Sequence, residues 1–259
     1  MADTIAVLSL KGGTGKTTTV RTLADVLRQV GLDVLTIDLD PQGNLSDYFD
    51  VARDASPTVA DVLSGDAKAK EAVHDGVIPS SLNLAEVERA LSGKMGRELV
   101  LKKALKDVRK AYDVILIDCP PALGLLTING LVAADYALIS SEAQYFALQG
   151  TTGANELIEQ VREYYNDDLE LVGVLLNIAD MRTKHSRDAY AQLLQTYGEK
   201  VFAAVIRSSI AYAESAEKAL SILEYRPDLG QDYYALADEV LARIGREEPR
   251  GALAPLLLH

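Results

Sequence analysis

The chain has 259 residues, 48% of them hydrophobic and 25% charged, a size that suits one domain with a full core. Its formal net charge of −12 argues against nucleic-acid binding over the whole surface, and Cys119, the only cysteine, excludes an intrachain disulfide and the paired cysteines of an iron–sulphur carrier. No apolar run approaches the roughly 18 residues of a membrane span, and the start Met1-Ala2-Asp3-Thr4-Ile5 has no basic-then-apolar leader, so a cytoplasmic protein is expected.

Thr4-Ile5-Ala6-Val7-Leu8-Ser9-Leu10 reads as a buried strand over 4–10, and a helix is expected over 16–30. Between them, Lys11-Gly12-Gly13-Thr14-Gly15-Lys16-Thr17-Thr18 is a phosphate-binding loop with one lysine more than the general G-x-x-x-x-G-K-[ST] pattern asks for. Gly12, Gly13 and Gly15 let the backbone N–H groups turn inward, and the helix opening at Lys16 adds its positive dipole end. Lys16 is placed to reach the β- and γ-phosphates and the Thr17 hydroxyl to hold Mg²⁺. Lys11, at the mouth of the loop, is open to two readings, a solvated cation or a phosphate ligand.

A strand over 33–38 ends in Asp38-Leu39-Asp40-Pro41-Gln42-Gly43-Asn44, which sets two carboxylates at the C-terminal edge of a sheet, where open α/β folds keep their ligands. A helical region over 44–50 and a polar stretch with short helices over 51–80 follow, then Leu82-Asn83-Leu84-Ala85-Glu86-Val87 and a helix over 96–111. The strand over 113–118 ends in Asp118-Cys119-Pro120-Pro121, placing Asp118 as the metal-side carboxylate. Strands over 135–140, 171–177 and 201–206 alternate with helices over 148–165, 184–197 and 210–221, and a last helix covers 230–245. The alternation implies an α/β fold, a mostly parallel, twisted sheet carrying helices on both faces, and the phosphate-binding loop makes it a single P-loop NTPase domain over 1–245. In the tail over 246–259, Pro249, Gly251 and Pro255 are expected to break any helix, leaving it loose or packed on its own domain or dimer mate.

From position 180 to 226, seven basic residues stand against six acidic ones, a local +1 in a chain whose remainder carries −13. Such a locally neutralised face suits contact with phosphate on one side of an acidic body.

On K-G-G-T-G-K-T-T at 11–18, D-L-D-P-Q-G-N at 38–44, D-C-P-P at 118–121 and Q-Y-F-A-L-Q-G at 144–150, the chain resembles the ParA/Soj-type partition ATPases of the deviant Walker A group, which also contains MinD. The resemblance implies ATP and Mg²⁺ as cofactors and nucleotide contacts along Lys11 to Thr18. It makes Lys11 and Lys16 catalytic, with Lys11 reaching the phosphates of a dimer partner, and Asp40 the residue that positions the hydrolytic water. Thr17, Asp40 and Asp118 then form the metal side. Asn177 and the segment Tyr225-Arg226-Pro227-Asp228, with Arg226 where the family has Asp, would flank the adenine.

The resemblance further implies a homodimer on ATP binding, non-specific double-stranded DNA as a partner, and a ParB-like activator presenting a basic peptide. The protein would be cytoplasmic and nucleoid-associated. Ser208 and Ala211 replace two arginines of the family's DNA surface, so Arg182, Lys184, Arg187, Arg207 and Lys218 are the expected DNA contacts. A MinD-like membrane cycle is the alternative, disfavoured because Arg246 and Arg250 are offset by Glu247 and Glu248 in a tail with no basic amphipathic helix. With only ten residues before the loop, no helix-turn-helix domain is expected.

Overall fold

Alternate residues of each central strand serve two different helical layers. The computed structural model describes residues 1–143 and 147–257. Its strands are β1 (Asp3–Leu8), β2 (Val34–Asp38), β3 (Val77–Ile78), β4 (Val114–Asp118), β5 (Tyr136–Glu142), β6 (Glu170–Ala179) and β7 (Val201–Arg207), in one sheet of order β3-β2-β4-β1-β5-β6-β7. Every pairing between these strands is parallel. Parallel strands covered on both sides carry continuous apolar runs: in β1, Ile5 and Val7 enter one core, Ala6 and Leu8 the other.

One layer contains α1 (Lys16–Gln29), α2 (Asn44–Tyr48), α9 (Ala211–Glu217), α10 (Ile222–Tyr225), α11 (Pro227–Arg243) and α12 (Glu247–Leu253). The other contains α3 (Val59–Ser64), α4 (Leu84–Leu91), α5 (Val100–Ala104), α6 (Leu125–Ala133), α7 (Ala147–Tyr164) and α8 (Lys184–Tyr197).

Several elements differ from the sequence expectation, among them the helix expected over 210–221, which ends at Glu217 and is followed by a separate α10. Helix α6 was not expected, because Leu125-Leu126-Thr127-Ile128-Asn129-Gly130-Leu131-Val132-Ala133 is buried nearly all round and shows no amphipathic period. Its Gly130 is a packing requirement: a Cβ there would lie 2.9 Å from Cys119 Sγ. The helix expected over 96–111 is broken into a 3₁₀ turn at Arg97–Leu99, α5, and a second 3₁₀ turn at Val108–Lys110. Buried Asn129 marks the break, accepting from Leu101 N at 3.1 Å and donating to Arg97 O at 2.9 Å. The two-residue β3 lies inside the stretch read as polar.

The tail forms α12. Pro249 is the third residue of that helix, where a backbone N–H has no intrahelical acceptor, so the ring costs nothing. Leu253 is fully buried, Arg246 pairs with Asp3 at 2.6 Å and Arg250 with Asp238 at 2.8 Å, which fastens this segment to its own domain. No helix among the described residues is long and apolar enough to cross a membrane.

Candidate functional site

The register places Asp38 opposite Asp118, so β2 and β4 end in carboxylates on the same edge, beside the end of β1. The loop from β1 into α1 crosses that edge. Gly13 and Gly15 adopt φ of +77° and +80°, conformations that L side chains rarely take. Gly15 is doubly constrained, since a Cβ there would lie 2.6 Å from Asn177 Nδ2.

That amide is a structural peg: Asn177 Nδ2 donates to Thr19 Oγ1 at 3.0 Å, and its Oδ1 accepts from Ile178 N at 3.0 Å. Thr19 Oγ1 in turn donates to Gly15 O at 2.8 Å, and Ser140 Oγ to Thr14 O at 2.7 Å. The loop is thereby shaped before anything binds. Ile178 is held at φ +54°, a costly conformation for a β-branched residue.

Lys16 is buried, and burial lowers its pKa against the opposing pull of Asp118. Its Nζ donates to Lys11 O at 3.4 Å across the mouth of the loop. Thr17 Oγ1 donates to Asp118 Oδ2 at 2.7 Å. Burial, reinforced by the charge of Asp38, raises the Asp118 carboxyl to about 8. Its Oδ1 is buried without a hydrogen-bond partner among the described residues. An orphaned carboxylate oxygen beside a threonine hydroxyl is a hard oxygen donor set that fits Mg²⁺, which takes one or two protein ligands and completes its shell with phosphate and water.

Asp38 has a different task. Its carboxylate accepts from Ser46 N at 2.9 Å, Ser46 Oγ at 2.8 Å and Asp40 N at 3.1 Å, anchoring the start of α2, while burial raises its pKa to about 6. Asp40 is half-buried, accepts from Gln42 N at 3.0 Å, and faces the cavity.

That cavity, about 900 Å³, is lined by Gly12 to Thr18, Asp40, Asn177 and Arg207 of the expected residues. Asp118 lies behind Thr17. Lys11 stands outside, its side chain 57% exposed and paired with Glu142 at 3.1 Å. Pro227 and Asp228, expected near the adenine, begin α11 and are not among the lining residues; Asp228 pairs with Arg226 at 2.8 Å. Arg207 occupies the wall instead, its Nε on Asp232 at 2.9 Å and its Nη2 on Asp228 O. Tyr212 and buried Tyr233, packed edge to face with centroids 6.1 Å apart, also line it and were not expected from the sequence.

Of the remaining cations expected at DNA, Arg182, Lys184 and Arg187 follow the end of β6, where Ala179 pairs with Arg207 and Ser208 N donates to Ala179 O, and Lys218 lies at the end of α9. Arg182 is exposed and doubly bonded to Asp180, which holds that carboxyl near 2. Arg187 donates to Met181 O and Arg182 O, and Lys184 lies exposed at the start of α8. Lys218 Nζ sits 4.6 Å from the Tyr225 ring centroid. Of the motif at 144–150, residues 144–146 lie outside the described residues.

Residues 2–171 match the family model described as an AAA domain. The chromosome-partitioning ATPase Soj of Treponema pallidum is 37% identical over 254 residues, covering 95% of this chain and 100% of its own length. The ADP- and magnesium-bound structure of cobyrinic acid a,c-diamide synthase from Mycobacterium smegmatis superposes with a TM-score of 0.77 at 36% identity, over 85% of this chain and 93% of that one. McdA from Cyanothece superposes with a TM-score of 0.85 at 27% identity, over 93% and 100%.

Proposed function

We propose, from the premise that this chain belongs to the AAA-domain family and is a partition ATPase of the Soj/ParA kind, that it works as a dimerising switch which grips DNA while ATP is bound. The protein is an ATPase whose cofactors are ATP and Mg²⁺. In this reading the loop from Gly12 to Thr18 receives the triphosphate on its N–H groups, and Lys16 supplies the central positive charge. Thr17 and Asp118 would hold the metal, which would supply positive charge against that of the phosphates. Asp40 orients the attacking water from the cavity wall. Lys11 releases Glu142 and reaches the partner's phosphates, offsetting two triphosphates brought face to face. Asn177, which fixes the loop from β6, and Pro227 and Asp228, linked to the cavity wall through Asp228 O and Arg207, would flank the adenine.

Arg182, Lys184, Arg187, Arg207 and Lys218 are the contacts that the family pattern nominates for double-stranded DNA, and dimerisation doubles their number. A ParB-like activator with a basic segment would be drawn to the acidic body and trigger hydrolysis, releasing the DNA, while the ATP-bound protein resides on the nucleoid in the cytoplasm.

The observation that carries this reading is the Thr17–Asp118 bond with its orphaned Asp118 oxygen, directly beneath the glycine-rich loop and in one site with Asp40. The test is an electrophoretic shift of arbitrary duplex DNA. ATP should produce it, ADP should not, and Lys16→Ala should abolish it. A shift equal in all nucleotide states would defeat the switch.

A further inference from the structure

The segment 94–110 carries a larger excess of positive charge than the segment 180–226. Between Lys94 and Lys110 there are seven basic residues and two acidic ones, a net +5 within 17 residues of a chain that carries −12. The fold turns this into a ridge. Leu101, Leu105 and Val108, spaced four and three apart, are at most 4% exposed and fill the core, which puts Lys103, Lys106 and Lys110 on the opposite side of the same helical path. Lys103 lies over the preceding loop: a Cβ at Gly96 would come within 4.0 Å of its Nζ, next to exposed Lys94.

What distinguishes these lysines is that their charge is unspent. Among the described residues, Lys94, Lys103, Lys106 and Lys110 make no ion pair or hydrogen bond through their side chains, whereas the flanking Arg97 and Arg109 are held by Glu98 and Asp135. In the segment the family pattern nominates, Arg182 is bound to Asp180 and Arg207 to Asp232, so each must break a bond to an acidic neighbour before it can meet a phosphate.

The geometry points to the phosphate backbone of duplex DNA as the partner of this ridge, and we propose that Lys94, Lys103, Lys106 and Lys110 form a DNA-contacting surface of the ATP-loaded protein. The proposal rests on the switch reading above and names a surface for it. A bilayer is the poorer occupant, because the apolar side of this segment is fully used by the core and only Met95 among its apolar residues is fully exposed. Single strands are also disfavoured, since no aromatic residue lies between 94 and 110 to stack on bases.

The test compares duplex affinity against salt for the ATP- and Mg²⁺-loaded full chain and three variants. Replacing Lys103, Lys106 and Lys110 together by Gln should reduce the slope of log K against log[salt] by about 2.7, at roughly 0.9 per lost phosphate contact, and weaken binding at least about tenfold near 0.1 M salt. Replacing the same three by Arg should restore both, which a purely structural defect would not, and thermal unfolding reports whether the glutamine variant is folded. The third variant changes Arg182, Lys184 and Arg187 to Gln. If that variant loses binding while the 103/106/110 glutamine variant keeps the parental affinity and slope, DNA meets the other surface and the proposal is wrong. The proposal also fails if the ridge governs binding to anionic phospholipid vesicles and not to duplex. Parental protein that ignores duplex with every nucleotide removes the switch reading itself, and this surface with it.

Discussion

Three glycines within four residues meet different surroundings, so alanine substitutions there form a graded series. Gly12 has an ordinary φ and nothing within 4 Å of an added Cβ; Gly13 has φ +77° and the same open space; Gly15 combines φ +80° with a Cβ position 2.6 Å from Asn177 Nδ2. Gly12→Ala should therefore change stability by less than about 0.5 kcal/mol. Gly13→Ala should cost about 1–2 kcal/mol from the left-handed backbone alone. Gly15→Ala adds displacement of the Asn177 amide from Thr19 Oγ1, a buried bond of 3.0 Å, for a total of about 2–4 kcal/mol. For a domain of this size that is a fall in Tm of roughly 5–10 °C. Calorimetry without nucleotide measures it free of any effect on binding. Adding Asn177→Ala to Gly15→Ala should recover part of the loss, because the clash goes with the amide. Equal costs at Gly12 and Gly15, or strict additivity of the double variant, would refute the peg-in-loop arrangement.

Further outcomes follow from the carboxylates and the mouth lysine. Asp40→Ala should bind ATP and Mg²⁺ but turn over at least about a hundredfold more slowly, read by phosphate release, since general-base help is lost while ground-state contacts remain. Lys11→Ala should bind nucleotide yet stay monomeric in light scattering with ATP; an intact dimer would return Lys11 to a rim cation paired with Glu142. The Asp118 carboxyl is raised from 3.8 to about 8, so the nucleotide-free fold binds a proton that the unfolded chain has released, and stability should fall as pH rises from about 4 to 8. Asp38, raised to about 6, acts in the same direction at the lower end, so Asp118→Asn should flatten chiefly the part between 6 and 8, as should saturating Mg²⁺ and ATP. A parental Tm that climbs through this window would contradict the assignment.

Apart from the two-residue β3, the strands were legible as apolar runs, and the loop and the carboxylates as the glycines after β1 and the aspartates that close β2 and β4. Helix α6 was hidden because burial on every side erases the amphipathic period. The tail helix was hidden because Pro249 counts as a breaker in the middle of a helix but not in its first turn. Arg207 was assigned to DNA on its position in the chain, and only the fold shows Asp232 holding it in the cavity wall. The ridge at 94–110 was written plainly in Leu101, Leu105 and Val108 against Lys103, Lys106 and Lys110. Nothing in the helix expected over 96–111 points by itself to a partner, because only the fold shows which of its cations lack an acidic neighbour.

The central claim is that one event, ATP-driven pairing of two copies, creates the DNA-holding state. Asp40→Ala should arrest the protein in that state, so its mass in solution and its retention of arbitrary duplex DNA are measured together, with ATP and Mg²⁺ and after EDTA. The expected result is a mass twice the 28.0 kDa of the chain together with DNA retention, both lost when the metal is removed. A variant that remains at the monomer mass with ATP, or that holds DNA equally well after EDTA, would contradict the account.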